Sequence, residues 1–143
     1  MAGVTADRTC VVLKAGEKHE TLQGLVNFVG ISKETVGAQR LCLHVVSFPP
    51  GARAHAHLHR DHETALYSLT GSVGMWFGDE LEHYVEAHPG DFVYIPANLP
   101  HQPFNLSDTE TATAIAARTD PNEQESVVLL PELEQVHAHE PAR

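Results

Sequence analysis

Short runs rich in Val, Ile, Leu, Phe, Tyr and Thr follow one another along this chain, and Gly or Pro closes most of them. That punctuation constrains the fold more than any other feature. The runs at 10–14, 25–29, 41–48, 65–69, 73–77, 81–87, 92–95, 111–118 and 127–130 are short for helices and have the residue types of strands. Pro49-Pro50-Gly51, Thr70-Gly71, Gly78-Asp79, His88-Pro89-Gly90 and Pro96 stop the middle runs. Frequent strands with turns between them predict an all-β barrel or sandwich. One helical turn is expected at 131–135 and a loose tail at 136–143.

A length of 143 residues suits one domain, 1–143, with one core. The formal net charge of −10 repels phosphate backbones, so nucleic acid is excluded as a partner. No apolar run approaches the ~20 residues of a membrane helix. The segment from Met1 to Arg8 lacks a secretion-signal pattern, so a cytoplasmic location is expected. Cys10 and Cys42 are expected as buried, reduced thiols in strands rather than a disulfide.

The unusual component is histidine, with 11 residues against nine Lys and Arg. Four of them, His55, His57, His59 and His62, crowd the segment after Gly51, and Glu63 follows. Residues two apart on a strand face the same way, so His57 and His59 can aim both rings at one point. Neutral imidazole is a good ligand for zinc, iron, copper or nickel. A second segment, from Gly90 to Asn105, reads as strand, Pro-rich turn and strand. Pro96 and Pro100 stiffen the turn, Asn98 tolerates a left-handed backbone there, and the geometry fixes where His101 points. A metal site needs ligands from more than one segment, and His101 supplies the second. His44 lies on a strand and faces either cavity or core. The tail pair His137 and His139 is expected to be inert.

Together these segments resemble the two motifs of the cupin superfamily. Gly51, His57 and His59 stand on the register of the first motif, 51–71. Gly90, Pro96, His101 and Asn105 match the second, 90–105, with Asn98 in place of its glycine. The resemblance implies a single cupin barrel, a double-stranded β-helix or jelly roll, holding a divalent metal. It departs at the glutamate ligand of the first motif. Counted back from Gly71 that position is Thr64; counted forward it is Glu63. Two fourth ligands therefore stay open. His62 shares the face of Thr64 if the backbone is extended from Asp61 to Thr64, and this reading is preferred. Glu63 is the rival, and otherwise a general base beside the metal.

Four neutral ligands would leave the metal's charge undiminished and favour Lewis-acid chemistry, with zinc first and iron, nickel or manganese as alternatives. Tyr67, Trp76, Phe92, Tyr94 and Phe104 are expected to line a cavity in the barrel. Among cupins the chain resembles the single-domain cyclases of bacterial aromatic polyketide pathways. That resemblance implies closure of a poly-β-ketone substrate, and a homodimer. An iron-dependent dioxygenase, an isomerase or epimerase, and a non-catalytic binding module are the alternatives.

Overall fold

Inward and outward side chains alternate along the long central strands, and this alternation builds the molecule. The computed structural model describes residues 8–14 and 18–140. Its strands are β1 (Lys18–Glu20), β2 (Val26–Ile31), β3 (Cys42–Phe48), β4 (His57–His59), β5 (Thr64–Thr70), β6 (Val73–Phe77), β7 (His83–Ala87), β8 (Phe92–Ile95), β9 (His101–Asn105), β10 (Ala112–Arg118) and β11 (Val127–Leu129). All pair antiparallel in two sheets, β1-β2-β3-β10-β5-β8 and β11-β4-β9-β6-β7. This is the expected all-β jelly roll. Among the described residues one short α-helix, α1 (Lys33–Val36), starts at a capping box between Ser32 and Thr35. A 3₁₀ turn at Pro131–Leu133 stands where the helical turn was expected.

The inner faces meet around Leu25, Val46, Phe48, Ala54, Ala112 and Ala116, with Leu66 and Val73 against them. Along β10 the small residues Ala112, Ala114 and Ala116 point inward and leave room for larger neighbours. A second cluster, Ala56, Trp76, Leu81 and Phe104, packs with Tyr84, Leu130 and Leu133. Gly71 joins β5 to β6 at φ 69°, and a Cβ there would lie 2.8 Å from the Ala112 Cα, so both conformation and space call for glycine.

Three expectations change. Residues 10–14 form no strand; Val12 is 94% exposed and Cys10 is exposed, because no strand among the described residues pairs with this segment. Cys42 is buried as expected, and both thiols are free. The chain from 136 to 140 is docked rather than loose. Arg53 donates from Nη1 to the His137 carbonyl (2.7 Å) and from Nη2 to that of Glu140 (2.9 Å). The His137 ring stacks on Trp76 at 3.7 Å and donates from Nε2 to the Leu81 carbonyl.

Candidate metal centre

His57 and His59 are the two ends of β4, and His101 opens β9 directly opposite His57 in the antiparallel ladder. Their ring centroids lie 4.3 Å (His57–His101), 5.2 Å (His57–His59) and 5.5 Å (His59–His101) apart. All three are 2% exposed, and one ring nitrogen of each falls within 4.8 Å of the others. The Pro-rich turn before His101 is tied to the turn after His59. Asn98, at φ 67° as its residue type allows, donates its N–H to the His59 carbonyl (3.1 Å), and its Oδ1 accepts from the Asp61 N–H (2.9 Å).

Each ring is oriented by the backbone. Nδ1 of His57 bonds to the carbonyl of His55 (2.6 Å), Nδ1 of His59 to that of Glu125 (2.6 Å), and Nδ1 of His101 to that of Leu99 (2.8 Å). A carbonyl only accepts, so the proton of each neutral ring sits on Nδ1 and Nε2 keeps its lone pair. Nε2 of His59 is buried with no hydrogen-bond partner. Three convergent lone pairs, each ring held from behind, fit a metal ion. Burial first, then the mutual repulsion of the rings, pushes the His57 pKa well below 6.5. Burial and then the Arg118 guanidinium lower that of His59. Burial likewise brings His101 down to about 4. The rings are neutral at physiological pH, the state a metal requires.

His62 and Glu63 stand apart from this cluster. Asp61 adopts φ 63°, so the backbone turns between His59 and Thr64 instead of running extended. That removes the premise for His62 as fourth ligand. Its Nδ1 meets Thr119 Oγ1 at 3.2 Å and its Nε2 lies 3.8 Å from Asp120. The exposed Glu63 carboxylate accepts from the Tyr94 hydroxyl (2.7 Å) and is not among the close ligand atoms of the three-histidine group. Thr64, buried, occupies the glutamate register, and its Oγ1 has no partner. His55 is exposed and contributes its carbonyl, not its ring.

The cavity beside His57 and His101 has a volume of about 60 Å³. Its walls are apolar, among them Leu25, Val46, Phe48, Met75 and Ile95, and its other polar residues are Gln23, Asn27, Ser68 and Arg118. None of the aromatic residues expected there lines it. Tyr67 and Phe92 pack on each other at 4.8 Å on the outer face of the six-stranded sheet, with Phe92 83% exposed and Tyr94 62%. Trp76 and Phe104 alternate with the cavity-lining Met75 and Pro103, and so face outward under the docked segment 130–140.

Arg118 and Glu125 carried no motif and were missed. The one signal for Arg118 was a cation closing a run of small apolar residues, 114–117. Its buried guanidinium pairs with the buried Glu125 carboxylate, which also accepts from Asn27 Nδ2 (3.2 Å). Burial lowers the Arg118 pKa to about 10, so it stays cationic. Cys42, His44 and Glu125 form a second group of close ligand atoms. The Gly30 N–H donates to His44 Nδ1 (3.4 Å), which puts that ring's proton on Nε2, the opposite tautomer to the metal-centre rings. Burial pushes the Cys42 thiol up to about 11, and Glu125 is held by Arg118 and Asn27. In this state the Cys42 thiol is protonated and the Glu125 carboxylate is engaged.

A model of the cupin domain matches residues 44–117, just over half of the chain. The chain belongs to the cupin family. This cupin is 37% identical over 95 residues to the quercetin 2,3-dioxygenase of Bacillus subtilis, covering 63% of this chain and 26% of that one. It thus spans about a quarter of the length of that relative. Among solved structures it is similar to the polyketide cyclase RemF from Streptomyces resistomycificus, with TM-score 0.62, 22% identity and 87% of this chain covered against 81% of that one. A cupin 2 conserved barrel domain protein from Salinispora arenicola gives TM-score 0.64 at 20% identity, covering 78% and 91%. At those identities the two structures speak for the fold. Among the described residues no helix is long and apolar enough to cross a membrane.

Proposed function

We propose that this cupin is a metal-dependent enzyme that binds an enolisable β-dicarbonyl compound at its three-histidine centre and carries the enolate to ring closure, the chemistry of a polyketide cyclase. The observation that carries the reading is the donor set: three neutral imidazoles aimed by backbone carbonyls, with no carboxylate among them. A divalent metal, zinc by preference, supplies Lewis acidity when bound by His57, His59 and His101, and such a donor set leaves its charge undiminished for substrate oxygens. The walls of Leu25, Val46, Phe48 and Ile95 keep water from the enolate. Ser68 and Gln23 offer hydrogen bonds that fix which way the dicarbonyl lies. By the measure in which one water needs ~10–15 Å³, the cavity takes the chelating unit of a substrate. The rest of a poly-β-ketone would extend out of it.

Dioxygenation of the same kind of enolate by an iron-loaded centre is the second reading, favoured by the 37% identity to the quercetin 2,3-dioxygenase. The test uses the linear triketone that closes to orcinol with loss of one water. Zinc-loaded protein should form orcinol without oxygen. His101→Ala should lose both metal and conversion while keeping its far-ultraviolet circular dichroism. His62→Ala and Glu63→Gln should keep their metal. Oxygen uptake by iron-loaded protein alone would transfer the assignment to the dioxygenase. Metal bound with neither activity would make this a binding module and overturn both.

Two further expectations stand as part of this reading. The two free cysteines suit a reducing, cytoplasmic setting. The outer face of the six-stranded sheet is the surface for a second copy of the chain. Val45, Ile115, Tyr67 and Phe92 are successive cross-strand neighbours there, an apolar row ending at the edge strand β8.

A further inference from the structure

Arg118 is the cation of the cavity, and its surroundings leave one of its donors unmet. Burying a guanidinium is costly unless its donors are met. Glu125 meets one side; Nε of Arg118 is buried with no partner. Arg118 lines the same cavity as His57 and His101. It is also the direct cross-strand partner of Thr64, so the two side chains share a face. Counted back from Gly71, Thr64 holds the position where the first cupin motif has its glutamate. The arrangement is therefore inverted in charge: an uncharged residue replaces the carboxylate, and a guanidinium stands beside it. With a metal dication on three neutral rings, two cationic centres would stand together in surroundings of low dielectric, with the carboxylates of Glu125 and of the buried Asp120 on the Arg118 side.

We infer that Arg118 is the anion receptor of this cavity, taking a negatively charged oxygen of the substrate, carboxylate or enolate, on the side of the centre where the glutamate ligand is absent. Glu125 is its positioning residue, holding the guanidinium at one edge so that the Nε edge is left for the ligand. The substrate is thus a small oxyanion with a second oxygen for the metal, and neutral isosteres are rejected. Gln23, whose Oε1 is also buried without a partner, supplies a side-chain amide to the same cavity. The inference rests on the metal reading above for its second anchor only.

Three probes decide it by calorimetric titration: acetate for a carboxylate, acetylacetone at alkaline pH for an enolate, and acetamide as the neutral isostere of acetate. Zinc content is measured first on every protein. Zinc-loaded parent should bind at least one anion and prefer it to acetamide. Arg118→Gln should keep its zinc, lose about ten- to a hundredfold in anion affinity, the worth of one charge-assisted hydrogen bond, and bind acetamide unchanged. If Arg118→Gln folds poorly because Glu125 is left unpaired, the Arg118→Gln/Glu125→Gln variant removes both charges and should show the same loss. The tighter of the two anions names the substrate class. Undiminished anion binding in both variants overturns the inference, and so does a zinc-loaded parent that binds neither anion. Should the parent take up no zinc, the metal reading fails; the same titrations on metal-free protein still decide Arg118.

Discussion

Burial holds the pKa of His101 down to about 4, against 6.5 for the free side chain, and lowers those of His57 and His59 as well. Above pH 6.5 neither the folded nor the unfolded chain protonates these rings, so the stability is complete there. Below it the unfolded chain takes up protons that the fold refuses, and stability is lost until the pH passes the folded value. For His101 alone the loss between the two values is ~3 kcal/mol. Chelator-treated protein should therefore melt at a clearly lower temperature at pH 4.5 than at pH 7, and equal melting temperatures would contradict the burial of the rings. The three rings were legible because the His57–His59 spacing needs only a strand, and the Pro-rich turn before His101 is local. His62 was misread because its placement depended on one dihedral: Asp61 turns left-handed, and the side chain after it leaves for Thr119 and Asp120.

Strand β9 is buried along its whole length on both faces, and this is why its side-chain directions could not be taken from hydrophobic alternation. One face carries His101 and Pro103 into the cavity; the other carries Phe104 beneath the docked segment 130–140. Nothing local in the sequence marks that segment as a cover. Its attachment depends on Arg53, remote in the chain, which also lies 5.3 Å over the Phe104 ring. Arg53→Ala should raise hydrogen exchange across residues 134–140 by about tenfold or more, as expected for losing hydrogen bonds from a charged donor. Exchange in β4 and β9 should stay slow. Uniform loosening of both regions would mean that the segment is part of the barrel's own stability rather than a separate cover.

The sheet architecture of the whole molecule followed from strand-like runs and turns, but the exposed side chains on its outside did not. Tyr67 and Phe92 have the residue types of a cavity wall, and only the register of β5 against β8 sends them to the surface. If a second copy covers that face, Phe92→Glu should convert a dimer to a monomer in light scattering after size exclusion, with metal content unchanged. A parent that is already monomeric at high concentration would remove the proposed interface. The carbonyl of Glu125, which orients His59 from 66 residues further along the chain, has a consequence in time. His57 and His101 are steered by carbonyls two residues before them, which leave the ribosome ahead of residue 125. The third ring is steered only when β11 has closed against β4. The set of three rings that would hold a metal is therefore completed last, by the strand that closes the edge of the second sheet.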